Sequence, residues 1–142
     1  MPSAIFLIVL LAILGAMVVT VSGLQHTASA RDLMGARTLQ AARAGIDWGA
    51  YQVLQQAAAL GAGVCPASTA IAMPAGTDLT GLTVNVTCLL SNADEGGRTA
   101  AGGNRLEFYV ITATACNQPP CPNTTNPGSA YVERQLQASI GR

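Results

Sequence analysis

PSAIFLIVLLAILGAMVVTVSGL, residues 2–24, is the stretch on which the fold turns. It holds no charged side chain, and the first to follow is Arg31. At ~1.5 Å per residue, twenty-odd helical residues reach ~30 Å, the thickness of a bilayer's hydrocarbon core. Apolar residues occupy every side of such a helix, so no polar face is left to lie against water. Pro2 suits the first turn, where its missing N–H is not needed. The chain is too small to surround a buried core helix of this kind, so the stretch reads as membrane-spanning. Ile5, Phe6, Leu7, Leu10, Leu11, Leu14, Gly15 and Val18 are its candidate membrane and helix-packing residues. A cleaved secretory signal is the competing reading, since Ala28-Ser29-Ala30 imitates a cleavage site. Against it, nothing basic precedes the run in this sequence, and the run is long for a signal's apolar region.

Working outward, the helical signal continues beyond the apolar run. Residues 31–60 contain no proline and are rich in Ala, Gln, Leu and Arg, all good helix formers. Leu39, Ala42, Ile46, Gly49, Val53 and Leu60 recur at three- and four-residue steps, which predicts one apolar stripe. Leu39, Ile46 and Val53 are the candidate residues for packing on a sheet. Arg43 and Asp47 stand four apart, the spacing of a weak surface ion pair. Gly15, Gly23, Gly35, Gly45 and Gly49 run through the helix and serve either close packing or only an Ala/Gly-rich composition. Gly61-Ala62-Gly63 supplies the left-handed cap residues that end helices. The sequence thus divides into a transmembrane helix over residues 1–26 and a second domain over 27–142.

Residues 66–81 read as polar and irregular. LTVNVTCLL, residues 82–90, then alternates, with Leu82, Val84, Val86, Cys88 and Leu90 on one face, as a half-buried strand does. A glycine-rich loop over 91–104 turns the chain into RLEFYVITATA, residues 105–115, whose β-branched and aromatic content predicts a second strand. After a proline-rich loop, YVERQLQASI, residues 131–140, alternates again as a third. The expected class is α+β: a long N-terminal helix packed on an antiparallel sheet of about three strands.

Seven basic and seven acidic residues cancel, and two Phe, one Trp and three Tyr offer no stacking platform, so neither charge nor aromatics point to nucleic acid. No residues fit an enzyme or a cofactor site. The one histidine, His26, leaves no Ser-His-Asp constellation for the rest of the chain. Cys65, Cys88, Cys116 and Cys121 all follow the apolar stretch. An even count in a small membrane-tethered domain reads as two disulfides in an oxidising compartment. A four-cysteine zinc site is the alternative, although paired CxxC spacing is missing. Cys116 and Cys121 are near neighbours with Pro119-Pro120 between them, and Cys65 reaches Cys88 if the first strand lies beside the helix exit, so 65–88 and 116–121 is the expected pairing. Such a domain lies outside the cytoplasm, although Arg31, Arg37 and Arg43 on its side of the span run against the positive-inside rule.

PSAIFLIVLLAILGAM (2–17), QAARAGIDWGAYQVL (40–54), ITATAC (111–116) and YVERQLQA (131–138) together resemble type IV pilin-like proteins. The likeness is greatest to the minor pilin-like biogenesis proteins of mannose-sensitive haemagglutinin (MSHA) pili, the MshP type. The resemblance implies the pilin fold and a subunit made as a prepilin, trimmed by prepilin peptidase and held in the inner membrane with its domain in the periplasm. Such a subunit is then assembled with other pilins and minor pilins into a cell-surface fibre. The sequence departs from the family in having no basic leader ending in glycine before Met1, which implies either a misplaced start codon or a mature form. The sequence departs from the family in one further respect, because no acidic residue precedes Asp32, whereas most pilins carry a glutamate early in this helix. A tip or assembly-initiating position follows as the expectation. The competing functions are a single-span periplasmic binding or scaffold protein and a minor pseudopilin of a type II secretion system.

Overall fold

A computed structural model describes residues 2–55, 65–94 and 105–141. Its class is α+β. One helix, α1 (Pro2–Gln55), is followed by four strands: β1 (Thr69–Ala72), β2 (Thr83–Asp94), β3 (Arg105–Cys116) and β4 (Glu133–Gly141). The strands form one antiparallel sheet in the order β1-β2-β3-β4. Two compact units are present, Met1–Met34 and Gly35–Arg142. Leu60 and the glycines at 61–63, like most of the glycine-rich loop, fall outside the described residues.

Three expectations need correction. The sheet has four strands rather than three, because TAIA at 69–72 pairs with β2 in the stretch expected to be irregular. Four residues between Pro66 and Pro74 are too few for an alternation to register in sequence. β2 runs on through Ser91, Asn92, Ala93 and Asp94, the start of the expected loop, because β3 supplies Phe108, Glu107, Leu106 and Arg105 opposite them. Arg43 and Asp47 make no ion pair with one another. Both are exposed, and two long side chains in water gain little by being held together.

Register explains the core. Val84 lies opposite Ala115, Val86 opposite Ala113 and Cys88 opposite Ile111. On the other side of β3, Ala113 faces Leu136, Ile111 faces Ala138 and Tyr109 faces Ile140. Because side chains alternate across a strand, these residues share one face of the sheet. Ala41, Ala42 and Val53 of α1 are buried in one cluster with Leu82, Val84, Val86, Tyr109, Ile111, Ala113 and Ala115.

The helix stripe is turned from the expected one. Its buried positions are Gly35, Thr38, Ala41, Ala42, Gly45, Gly49 and Val53, while Leu39 and Ile46 are half-buried. Small residues occupy the centre, which lets α1 lie close against the sheet. A Cβ on Gly45 would stand 2.6 Å from Cγ1 of Val84, and one on Gly49 2.7 Å from Cγ2 of Ile111. These glycines are therefore packing residues, not a by-product of composition.

Candidate functional site: the apolar helix and the disulfide-closed loop

The first feature is the helix over residues 3–23, where every side chain is exposed. Ile5, Phe6, Leu7, Leu10, Leu11, Leu14 and Val18 retain 40–69% of their surface. Burying a side chain of this size is worth roughly 1.5–3 kcal/mol, so leaving all of them in water is not a stable outcome. Gly15 has open space where a Cβ would stand. The Thr20 hydroxyl is satisfied within the helix: its Oγ1 donates to the carbonyls of Met17 (2.8 Å) and Ala16 (3.3 Å). A polar group that closes on its own backbone is compatible with an apolar medium. This helix is long and apolar enough to cross a membrane.

The second feature is the loop between β3 and β4. Cys116 is joined to Cys121, and Cys65 to Cys88. The two bridges use all four cysteines, which removes the thiolates that a zinc site would need and fits an oxidising compartment. Asn117 holds the loop's base. Its N–H donates to the Val132 carbonyl (3.3 Å), its Nδ2 donates to the Ala130 carbonyl (2.8 Å), and its Oδ1 accepts from the Val132 N–H (2.9 Å). Asn123 shapes the far side, where its Oδ1 accepts from the N–H groups of Thr125 and Asn126 at 3.2 and 3.3 Å. This is the Asx turn that a short side-chain amide readily forms.

Tyr131 links the loop to β4. Its hydroxyl accepts from the Asn123 N–H (2.9 Å) and donates to the Glu133 carboxylate. Burial and the bond to Glu133 push the Tyr131 hydroxyl above its ordinary value of 10.0. The folded state thus prefers the neutral phenol. Stability from this group is complete below pH 10, and it is lost as the pH rises through the elevated folded value. The alkaline limb of the stability–pH curve is therefore expected to flatten in Tyr131→Phe, as read from thermal melts on both sides of that value; an unchanged limb would mean that Tyr131 does not control it.

Asn117 and Tyr131 were not singled out from the sequence. Asn117 lies two residues past a predicted strand and Tyr131 begins one, and only tertiary contact reveals that they brace a loop. Comparison with known proteins finds no matching family model, no matching curated protein and no matching solved structure. The functional reading accordingly rests on residues and fold. Among the described residues no group of three or more His, Cys, Asp or Glu could hold a metal ion.

Proposed function

We propose that this chain is a minor structural subunit of a type IV, MSHA-like pilus, acting in a tip or assembly-initiating complex. One observation carries the reading: a single helix, Pro2–Gln55, is uncovered and apolar over residues 3–23 and, from Gly35 on, belongs to a unit built on a disulfide-bridged antiparallel sheet. Such a helix has two environments open to it, inner-membrane lipid before assembly and the helices of other pilin subunits after it. The likeness in residues 2–17, 40–54, 111–116 and 131–138 points the same way.

Position in the fibre follows from charge. In the pilins that this sequence resembles, an early glutamate sits in an apolar helix bundle and pairs with the amino terminus of the subunit ahead. A carboxylate there is costly unless paired, so it fixes the docking register. Residues 2–24 of this chain carry no carboxylate. A subunit that has the glutamate can follow it, but residues 2–24 offer no such group with which to follow one. Immunogold labelling is expected to mark one end of each fibre, and sheared fibres are expected to contain the chain in few copies. Labelling along the whole length would remove the tip assignment. Absence from sheared fibres, with retention in the inner membrane, would favour the single-span scaffold, and labelling confined to secretion complexes would favour the pseudopilin.

A further inference from the structure

The triplet Asn-x-Thr, where x is any residue but proline, is the acceptor for a glycan carried on the asparagine nitrogen. It occurs twice in this chain, as Asn85-Val86-Thr87 and as Asn123-Thr124-Thr125. Nothing within the triplets tells them apart, but the fold does. Asn85 lies in β2 with a neighbour on each side, opposite Ala70 of β1 and Thr114 of β3. Its Oδ1 accepts from the Ser68 hydroxyl (3.2 Å), and the Thr87 hydroxyl donates to the Thr112 carbonyl (3.4 Å). Val86 between them is buried in the core. Presenting this triplet requires β2 to leave the sheet, and a strand held on both sides opens only at a large part of the domain's stability.

Asn123 stands instead on the loop between β3 and β4, where every residue from Thr124 to Ala130 is exposed. The Asx turn orients its amide. Oδ1 accepts from the N–H groups of Thr125 (3.2 Å) and Asn126 (3.3 Å), and because both partners are donors, the nitrogen is the atom turned away from them. Among the described residues, neither Nδ2 of Asn123 nor the Thr125 hydroxyl makes a hydrogen bond. The two groups that define the triplet are thus both open. Around them the loop is held in place by the Cys116–Cys121 bridge, by Asn117 and by Tyr131. Asn123 and the residues on to Ala130 lie outside the core cluster, so an addition here displaces nothing that is packed.

We propose that Asn123 is an attachment site for an N-linked glycan, and that Asn85 is a copy of the same triplet silenced by the fold. The donor is a saccharide carried on a polyprenyl diphosphate and delivered by a transferase. A bond forms between Nδ2 and the sugar's C1 as the bond from C1 to the diphosphate oxygen breaks. The lipid diphosphate leaves with the electron pair, Nδ2 gives up one proton to a base of the transferase, and the side chain becomes a secondary amide. As that proton departs, charge builds on Oδ1, the atom at which the N–H groups of Thr125 and Asn126 already point. Acceptors of this kind belong to surface loops of exported chains, which agrees with two bridges that form in an oxidising compartment. The inference uses no part of the pilus reading.

The test takes the full-length chain, folded in detergent with both bridges intact. It is incubated with an oligosaccharyltransferase that requires only Asn-x-Ser or Asn-x-Thr, and with a short saccharide on polyprenyl diphosphate. Intact mass is expected to show one added glycan, and peptide mapping to place it on Asn123 at no less than about ten times the occupancy of Asn85. Asn123→Gln should abolish the addition, and Asn85→Gln should leave it unchanged. Thr125→Ala keeps the N–H that closes the Asx turn but removes the hydroxyl, so it should also abolish the addition, and Thr125→Ser should restore part of it. Trp48 fluorescence checks that each variant is folded. The reduced, alkylated and unfolded chain should take a glycan at both triplets. A folded chain that takes none overturns the proposal, as does one modified at Asn85 as readily as at Asn123. An unfolded chain that still refuses Asn85 would equally overturn it, because the fold would then not be what silences that triplet.

Discussion

Gly49→Leu is expected to unfold the helix–sheet unit, and even Gly49→Ala should destabilise it, the reverse of what alanine ordinarily does in a helix. Alanine is worth about 1 kcal/mol over glycine in an exposed helix. At Gly49, however, the new Cβ would stand 2.7 Å from Cγ2 of Ile111 and 3.2 Å from Cγ1 of Val86. Neither atom is the end of a flexible side chain. Both belong to β-branched residues that are stiff at χ1 and buried on the sheet. Forcing extra methyl groups into such a site costs typically about 1–3 kcal/mol, enough to cancel the helix gain and exceed it. Leucine adds three further carbons where the first already collides. Its cost should pass about 4 kcal/mol, a large part of the roughly 5–15 kcal/mol that holds a domain together. Denaturant titration of the full chain in detergent, followed by the single Trp48, would measure both variants. Gly15→Leu is the control, because Gly15 has open space around it and the melt should not move. Ile111→Ala adds a second check: it vacates the methyl that a Gly49→Ala side chain meets, so the double variant should lose less than the two singles summed. Strict additivity, or a Gly49→Leu protein as stable as its parent, would show that α1 does not approach the sheet as described.

Those glycines also show where sequence reading loses its grip. An uncharged run located the first part of the helix, periodicity its continuation and the faces of β2 and β4, and β-branched and aromatic content located β3. Periodicity placed Leu39, Ala42, Ile46, Gly49 and Val53 on one stripe, and of these the large residues Leu39, Ile46 and Val53 were the expected sheet contacts. In the structure Val53 is buried, Leu39 and Ile46 are half-buried, and the middle of the contact belongs to Ala41, Ala42, Gly45 and Gly49. Close approach is encoded by the absence of side chains, and absence has no hydrophobic signal. The spacing Ala41, Gly45, Gly49, Val53 at steps of four was available as a clue, because it holds the small residues on one face. β1 was hidden for another reason. Its four residues acquire a strand's identity only from the Thr83–Val86 segment beside them. Of the candidate assembly features, the exposed apolar helix was legible in full, since it depends on composition alone. The bracing of the loop by Asn117 and Tyr131 was not, because residues 117 and 132 meet only when β3 and β4 pair.

Loss of the Cys65–Cys88 bridge should be the most damaging change to the sheet's surroundings that leaves every packed apolar residue in place. The two bridges close loops of very different size, with sequence separations of 23 and 5. On the chain-entropy account they stabilise by ~3 and ~2 kcal/mol respectively. Those sums matter because the core is thin. Its largest fully buried apolar side chains are Tyr109, Ile111, Val53, Val84 and Val86, and much of the remainder is alanine. A core of that kind leaves a small domain near the lower end of the usual stability range, about 5 kcal/mol. Position adds to loop length. Cys88 is on the helix-facing side of β2, opposite Ile111, so its bridge ties the chain at Cys65 to the middle of the sheet. Cys116–Cys121 instead closes a loop whose base already has three hydrogen bonds through Asn117. Cys65→Ala with Cys88→Ala is therefore expected to lower stability by ~3 kcal/mol, Cys116→Ala with Cys121→Ala by ~2, and the four-fold variant to be largely unfolded at about 25 °C. The same reasoning predicts that the chain made in a reducing compartment accumulates unfolded, and that it folds when exported to an oxidising one. Equal losses from the two pairs, or a four-fold variant that melts cooperatively near the parent's temperature, would mean that the thin core suffices without its bridges.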